Sequence, residues 1–290
     1  MTLQQQLKNT NTSQLLNLGI IGVFLLLYAP ILLHWLDGWL HKNISIEHEY
    51  FSHGMIGLPF AAHLIWSNRK QWLRLPDITH PVGGILLLVG GVFYLSGVSE
   101  WVNLSFPTIL AGLCLWFKGI PGLKFQGFPL VLIFLATPTA VPYLITPYTF
   151  PLQNFIAGTA GFILNQFGME VAVDEMNLYV GGRIVEVAPY CAGLKMLFTT
   201  FYVSLMLLYW TSSLSSRRTI IWFLSLAMIL SVSANIVRNT LLTLFHGTGQ
   251  DGLFAWLHEG WGGDLYSACM LVLLIPLLNW LNSQPWFRNS

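Results

Sequence analysis

Eight apolar runs, each near the length of a helix that crosses a bilayer, constrain this chain more than any other feature. A hydrocarbon layer ~30 Å thick takes about 20 helical residues. Runs 15 to 36, 82 to 99, 128 to 146, 191 to 210, 219 to 246 and 263 to 281 come close to that length, and 53 to 67 and 103 to 117 lie near its lower limit. With 54% hydrophobic and only 9% charged residues, the chain has too few polar groups to cover a soluble globule. The expected fold is an all-α polytopic membrane protein with about eight transmembrane helices, forming a single domain over 1–290.

Charge placement orients these spans. Positive residues gather in cytoplasmic loops, and Lys8, Arg69, Lys70, Arg74, Lys118, Lys124, Arg217, Arg218 and Arg288 all fall on one side. The other side holds only Lys42 and Arg183. Both termini are therefore expected in the cytoplasm, with multi-pass insertion in the inner membrane. Residues 1–14 are polar and precede no small-residue cleavage site, so they read as a retained cytoplasmic tail.

Composition also narrows the chemistry. A net charge of +1 with scattered basic residues gives no field for nucleic acid. Cys114, Cys191 and Cys269 show neither CxxC nor His-rich spacing, so no disulfide framework, metal site or cofactor is expected.

The longest outer segment, about 143 to 190, opens with Pro142, Pro147 and Pro151 and continues as an apolar helix over 152 to 168. Asn177–Val180 and Arg183–Ala188 then flank Gly181-Gly182, a pair suited to the positive φ angles of a two-residue hairpin. A small extracytoplasmic β-hairpin is predicted, ending at Pro189 just before Cys191.

Cys191 lies at the boundary of the sixth run, where helix-terminal amides favour a thiolate. The bland alternative is a small buried hydrophobe, and Cys114 and Cys269, inside apolar runs, keep that reading. Lys195 follows one turn after Cys191 on the same helical face. Arg238 stands 20 residues beyond Arg218, or roughly 30 Å along a helix, which places it near the outer surface. An intramembrane arginine needs a partner or a cavity, although snorkelling to headgroups is the competing account. Ser231, Asn235 and Arg238 share helical spacing and so form a polar stripe turned towards other helices. His258 lies beside Glu259 in an outer loop, and histidine is the side-chain type suited to proton transfer near neutrality. A loop histidine is more often simply solvated, and His53, His34 and His246 compete for the role. A thiol, a guanidinium and an imidazole on one side of a membrane match the needs of acyl transfer: nucleophile, oxyanion donor and proton shuttle.

At these residues the chain resembles the exosortase and archaeosortase family, and within it the cyanobacterial branch, the cyanoexosortases. Ser52-His53-Gly54 with Trp66 and Arg69, the proline-rich start of the outer segment, and Val185-Glu186-Val187-Ala188 take part in the likeness. Its most specific marks are Cys191-Ala192-Gly193-Leu194-Lys195, similar to the family's Cys-Ser/Ala-Gly-Leu, then Asn235-Ile236-Val237-Arg238, similar to Asn-x-x-Arg, and finally His258. The resemblance implies catalytic roles for Cys191, Arg238 and His258, with Glu259 orienting His258. It also implies partners: exported proteins bearing a C-terminal Pro-Glu-Pro-like motif, a transmembrane helix and a basic tail, met within membrane lipid. Cleavage through a thioester would make the chain a cysteine protease if water resolves it, and a transpeptidase if an amine does. Lys195 is then expected to support the thiolate, and Arg183 or Arg238 to meet the glutamate of the signal. Asn235 and His53 are expected to line the same site. The non-enzymatic alternatives are a transporter and an envelope-assembly scaffold. A transporter would more often place carboxylates near the midplane of its spans, and none of these runs carries one there.

Overall fold

Backbone polar groups in hydrocarbon must be satisfied within their own segment, and this chain meets that demand with helices. The structure, a computed structural model, describes residues 3–40, 50–188, 193–258 and 260–284. In chain order these form α1 (Leu3–Leu40), α2 (Gly54–Ser67), α3 (Arg69–Arg74), α4 (Pro81–Leu95), α5 (Ser99–Phe125), α6 (Gly127–Ala136), α7 (Val141–Ile145) and α8 (Phe150–Gln166). Strands β1 (Val171–Asp174), β2 (Asn177–Val180) and β3 (Arg183–Glu186) follow. The chain closes with α9 (Leu194–Trp210), α10 (Arg217–Gly247), α11 (Asp251–His258), α12 (Trp261–Val272) and α13 (Leu274–Ser283).

The expectation of a helical membrane protein with a small hairpin holds, but the number of full-length spans needs correction. Among the described residues, four helical stretches are long and apolar enough to cross a bilayer: Gly22–Leu40, Ser99–Phe125, Arg217–Gly247 and Trp261–Ser283. A fifth counts only if Gly127–Ala136 and Val141–Tyr148 are one bent span. Three of the eight expected spans are the shorter helices α2, α4 and α9, of 14, 15 and 17 residues. At 1.5 Å per residue they reach about 21 to 26 Å, less than the ~30 Å of hydrocarbon. Hydropathy registers the apolar run but not the residues that end a helix. The run 128 to 146 loses its helix between Ala136 and Val141, around Pro138. Conversely, 103 to 117 grows into the 27-residue α5, with a break in helical geometry at Gly119.

Contacts divide the described chain into two compact units, residues 1–49 with 62–139, and residues 50–61 with 140–290. In the first, the polar atoms of α1 and α5 pair across the helix interface. Tyr28 shares a 2.7 Å hydrogen bond with Ser105, and Trp35 donates its indole N–H to Asn103 Oδ1 at 2.8 Å. Buried Lys118 donates to the Leu75 carbonyl at 2.7 Å and pairs with Asp77 at 2.6 Å, so a charge near a helix end is answered locally.

The second unit carries two apolar cores. Leu208, Phe223, Ala227, Leu274, Leu278 and Leu281 join α9, α10 and α13. At the other end of α10, α8 lays Ile156, Ala157, Ala160 and Leu164 against one face of the sheet, with Ile236 and Leu244 of α10 packed on the same cluster. The hairpin appears where the sequence places it: β2 and β3 pair antiparallel, Val180 opposite Arg183, with φ of 58° at Gly181 and 73° at Gly182. Both angles belong to the left-handed region that the turn requires. β1 was not expected; it pairs with β2 from Val171↔Val180 to Asp174↔Asn177 and completes a sheet in the order β1-β2-β3.

Candidate functional site

Helix α10 organises the second unit through a stripe with a spacing of four. Thr219, Phe223, Ala227, Ser231, Asn235, Asn239 and Thr243 are all buried. Four residues turn a helix slightly more than once, so the stripe winds slowly around the axis while staying against protein. Its first half is largely apolar and enters the core with α13. Its second half is polar. On other faces Ile221, Trp222, Ile229 and Val237 are exposed, as lipid contact requires. The expected stripe of Ser231 and Asn235 is thus present, each 1% exposed, and extends to Asn239, whose side-chain amide donates to the Asn235 carbonyl at 2.9 Å.

One turn beyond Asn235, Arg238 reaches the end of α11. Its terminal Nη2 donates to the carbonyls of Leu257 at 3.3 Å and His258 at 3.4 Å. Carbonyls at a helix C-terminus lack intrahelical donors and carry partial negative charge, so a guanidinium suits that position. The fold thereby brings two of the predicted residues, Arg238 and His258, into direct contact through the backbone of the latter. Arg238 Nε is buried and finds no acceptor among the described residues. The His258 ring stacks on Phe254, centroids 5.1 Å apart and nearly parallel at 10°.

The described residues on either side of Cys191 each have a close partner. Upstream, Gln153 of α8, 3% exposed, donates its amide to the Val187 carbonyl at 2.9 Å and so fixes the exit from β3. Downstream, Gly193 (φ 78°) begins α9, and an added Cβ there would lie 2.6 Å from Asn235 Cγ. Cys191 and Glu259 themselves lie outside the described residues. Lys195 stands in the first turn of α9, half-buried.

Arg183 forms an ion pair with Asp251 at the start of α11, tying the turn end of β3 to the helix that carries His258. His246 Nδ1 lies 3.6 Å from the same carboxylate, and its ring packs on Phe254 at 4.9 Å. His53 is buried, its ring 4.5 Å from that of Tyr202 on α9. Sequence reasoning did not single out Asn239, Asp251, Phe254 or Gln153. Asn239 was within reach as the next step of the stripe, and Phe254 as the residue one turn before His258. Asp251 and Gln153 gain their roles only from partners 68 and 34 positions away.

A family model described as transmembrane exosortase matches residues 35–275, most of the chain. No curated protein and no solved structure matches.

Replacing Gly193 with alanine should be severe, because the new side chain meets both a left-handed backbone and the Asn235 side chain. Strain of this kind costs about 1–3 kcal/mol, visible as a lowered midpoint in thermal unfolding of the detergent-purified chain. An unchanged midpoint would mean that α9 and α10 do not meet closely there.

Proposed function

The chain belongs to the transmembrane exosortase family, a family of membrane proteins of protein sorting, and on that premise we propose that it is a membrane-embedded cysteine transpeptidase or protease. Its substrates are exported proteins carrying a C-terminal sorting signal, a Pro-Glu-Pro-like motif followed by a transmembrane helix and a basic tail. Cys191 is the nucleophile, Arg238 the electrostatic stabiliser and His258 the proton carrier. The observation that carries the reading is the contact of Arg238 with the end of α11 at His258, one turn from Asn235, against which Gly193 packs. Two peptide units separate Cys191 from Gly193, so covalent geometry keeps its Cα within about 7 Å of Gly193's.

The chemistry follows from these groups. The Cys191 thiolate attacks the scissile carbonyl carbon, and the carbonyl π electrons move to oxygen. Arg238, with Nη2 donating to helix carbonyls and Nε still without an acceptor among the described residues, offers a fixed donor to that charge. Collapse of the tetrahedral species breaks the C–N bond, and His258 passes a proton to the departing amine. The resulting thioester is resolved by water or by an amine, which restores the thiolate. Lys195, one turn after Cys191, supports the thiolate by its charge. Arg183 already answers Asp251, so it would meet the glutamate of the signal only by exchanging that partner.

Cys191→Ser should insert normally and abolish the mass shift of a co-expressed reporter bearing the signal. Arg238→Lys, which keeps the charge but loses the planar fork, should lower turnover by about a hundredfold or more. Normal processing by a well-inserted serine variant would remove Cys191 from the role.

The orientation proposed with this chemistry has both termini in the cytoplasm of the inner membrane and the site on the outer side. In a cysteine-free background, single cysteines placed within 246 to 258 should react with a membrane-impermeant thiol reagent in intact cells. A cysteine at Ser216 should react only after the membrane is opened, and the reverse pattern would place the site in the cytoplasm.

A further inference from the structure

The sheet that precedes Cys191 in the chain has two unlike edges. In antiparallel pairing, opposite residues alternate between pairs that exchange hydrogen bonds and pairs that do not. The two-residue turn makes Val180 and Arg183 a bonded pair, and the Val187 N–H to Met176 carbonyl bond at 2.9 Å shows the same alternation continuing past the strand. Arg183, Val185 and Val187 therefore point their backbone groups at β2. Ile184 and Glu186 point theirs away. On the opposite edge, the side-chain amide of Asn165 answers both backbone groups of Val171, at 3.0 and 3.1 Å. No described residue does this for Ile184 or Glu186, and both are exposed.

An open strand edge invites another chain, and proteins usually blunt it with charged side chains, proline, a bulge or a cover. β3 is Arg183-Ile184-Val185-Glu186: of its two outward-facing positions, Glu186 carries a charge and Ile184 carries none of these devices. Its outer face continues as a row, Ala172, Tyr179 and Ile184, that lines an open groove shared with Met169 and Gly182. In the sequence, Cys191 lies five residues past Glu186.

We infer that β3 is a docking edge, on which the substrate segment next to the scissile bond adds as a fourth strand, its backbone bonded to Ile184 and Glu186 and its side chains entering the groove at Ile184. This rests on the proposed peptide-cleaving function and names how that site takes its substrate. Main-chain hydrogen bonds give such docking its affinity, and alternate side chains give it selectivity. Five residues of chain reach at most about 17 Å, so the paired stretch lies within about five residues of the bond that Cys191 attacks. The added strand admits proline only where its missing N–H faces away from β3. Prolines at alternate positions satisfy this together, and the residue between them turns both backbone groups towards the edge.

The test uses the full chain in its membrane and a reporter that the wild-type chain cleaves. In a Cys191→Ser chain with Cys114 and Cys269 replaced by alanine, Ile184→Cys should form disulfides with single cysteines scanned along the reporter at alternate positions, within about five residues of the cleavage point. Cross-links at consecutive positions, or none, would overturn the docking. In parallel, Ile184→Pro removes only the outward N–H and should reduce processing at least tenfold. Val173→Pro makes the equivalent change on the β1 edge and should stay within about twofold. Equal losses in the two variants would assign the effect to sheet damage and sink the proposal. Cross-linking needs no turnover, so it stands apart from the functional reading, which fails instead if cleavage of the reporter does not depend on Cys191.

Discussion

Burial of polar side chains along one helix, in a protein whose solvent is largely lipid, sets the terms for everything else in the second unit. Ser231, Asn235 and Asn239 cannot face hydrocarbon without a cost of several kcal/mol each on apolar-transfer scales. α10 must therefore turn that stripe towards protein, and the elements that cover it become the walls of the candidate site. α9 meets it at Gly193, and α11 meets it through Arg238. The apolar half of the same stripe, Phe223 and Ala227, is sealed by Leu274, Leu278 and Leu281. One helix is thus an apolar anchor at one end and a polar platform at the other.

The guanidinium of Arg238 joins α10 to the end of α11. By donating to the last carbonyls of α11 it fixes the backbone that presents His258, and the Arg183–Asp251 pair holds the opposite end of the same helix to the sheet. α11 has only eight residues, too few to be stable alone in water. Its position depends on these two charged contacts and on Phe254, which packs against His246 and His258. Sheet, short helix and long helix consequently form one support, with Gln153 setting where the chain leaves β3 for Cys191.

Features written as local pattern were legible in the sequence. The hairpin followed from Gly181-Gly182, and Asn177–Val180 was placed residue for residue. The helix of the outer segment and the inward face of Asn235 followed from periodicity. Helix lengths were misjudged where apolar composition continues past a break, as around Pro138, or where a helix simply ends early, as α4 does at Leu95. β1 escaped notice because Val171–Asp174 is four residues long and is defined by its partner rather than by its own pattern. The partners of Arg183 and Lys118 were equally out of reach, since each ion pair joins residues that only the fold brings together.

The proposed chemistry requires the acyl part of the cleaved substrate to pass through a thioester on Cys191. The most direct measurement is intact mass of the chain purified quickly from membranes containing a slowly resolved reporter, with and without hydroxylamine. A thioester enzyme will show a species heavier by the reporter's amino-terminal fragment, mapped to the peptide containing Cys191, lost on hydroxylamine treatment and absent from Cys191→Ala. Reporter cleavage with no such adduct, or an adduct that persists without Cys191, would contradict it.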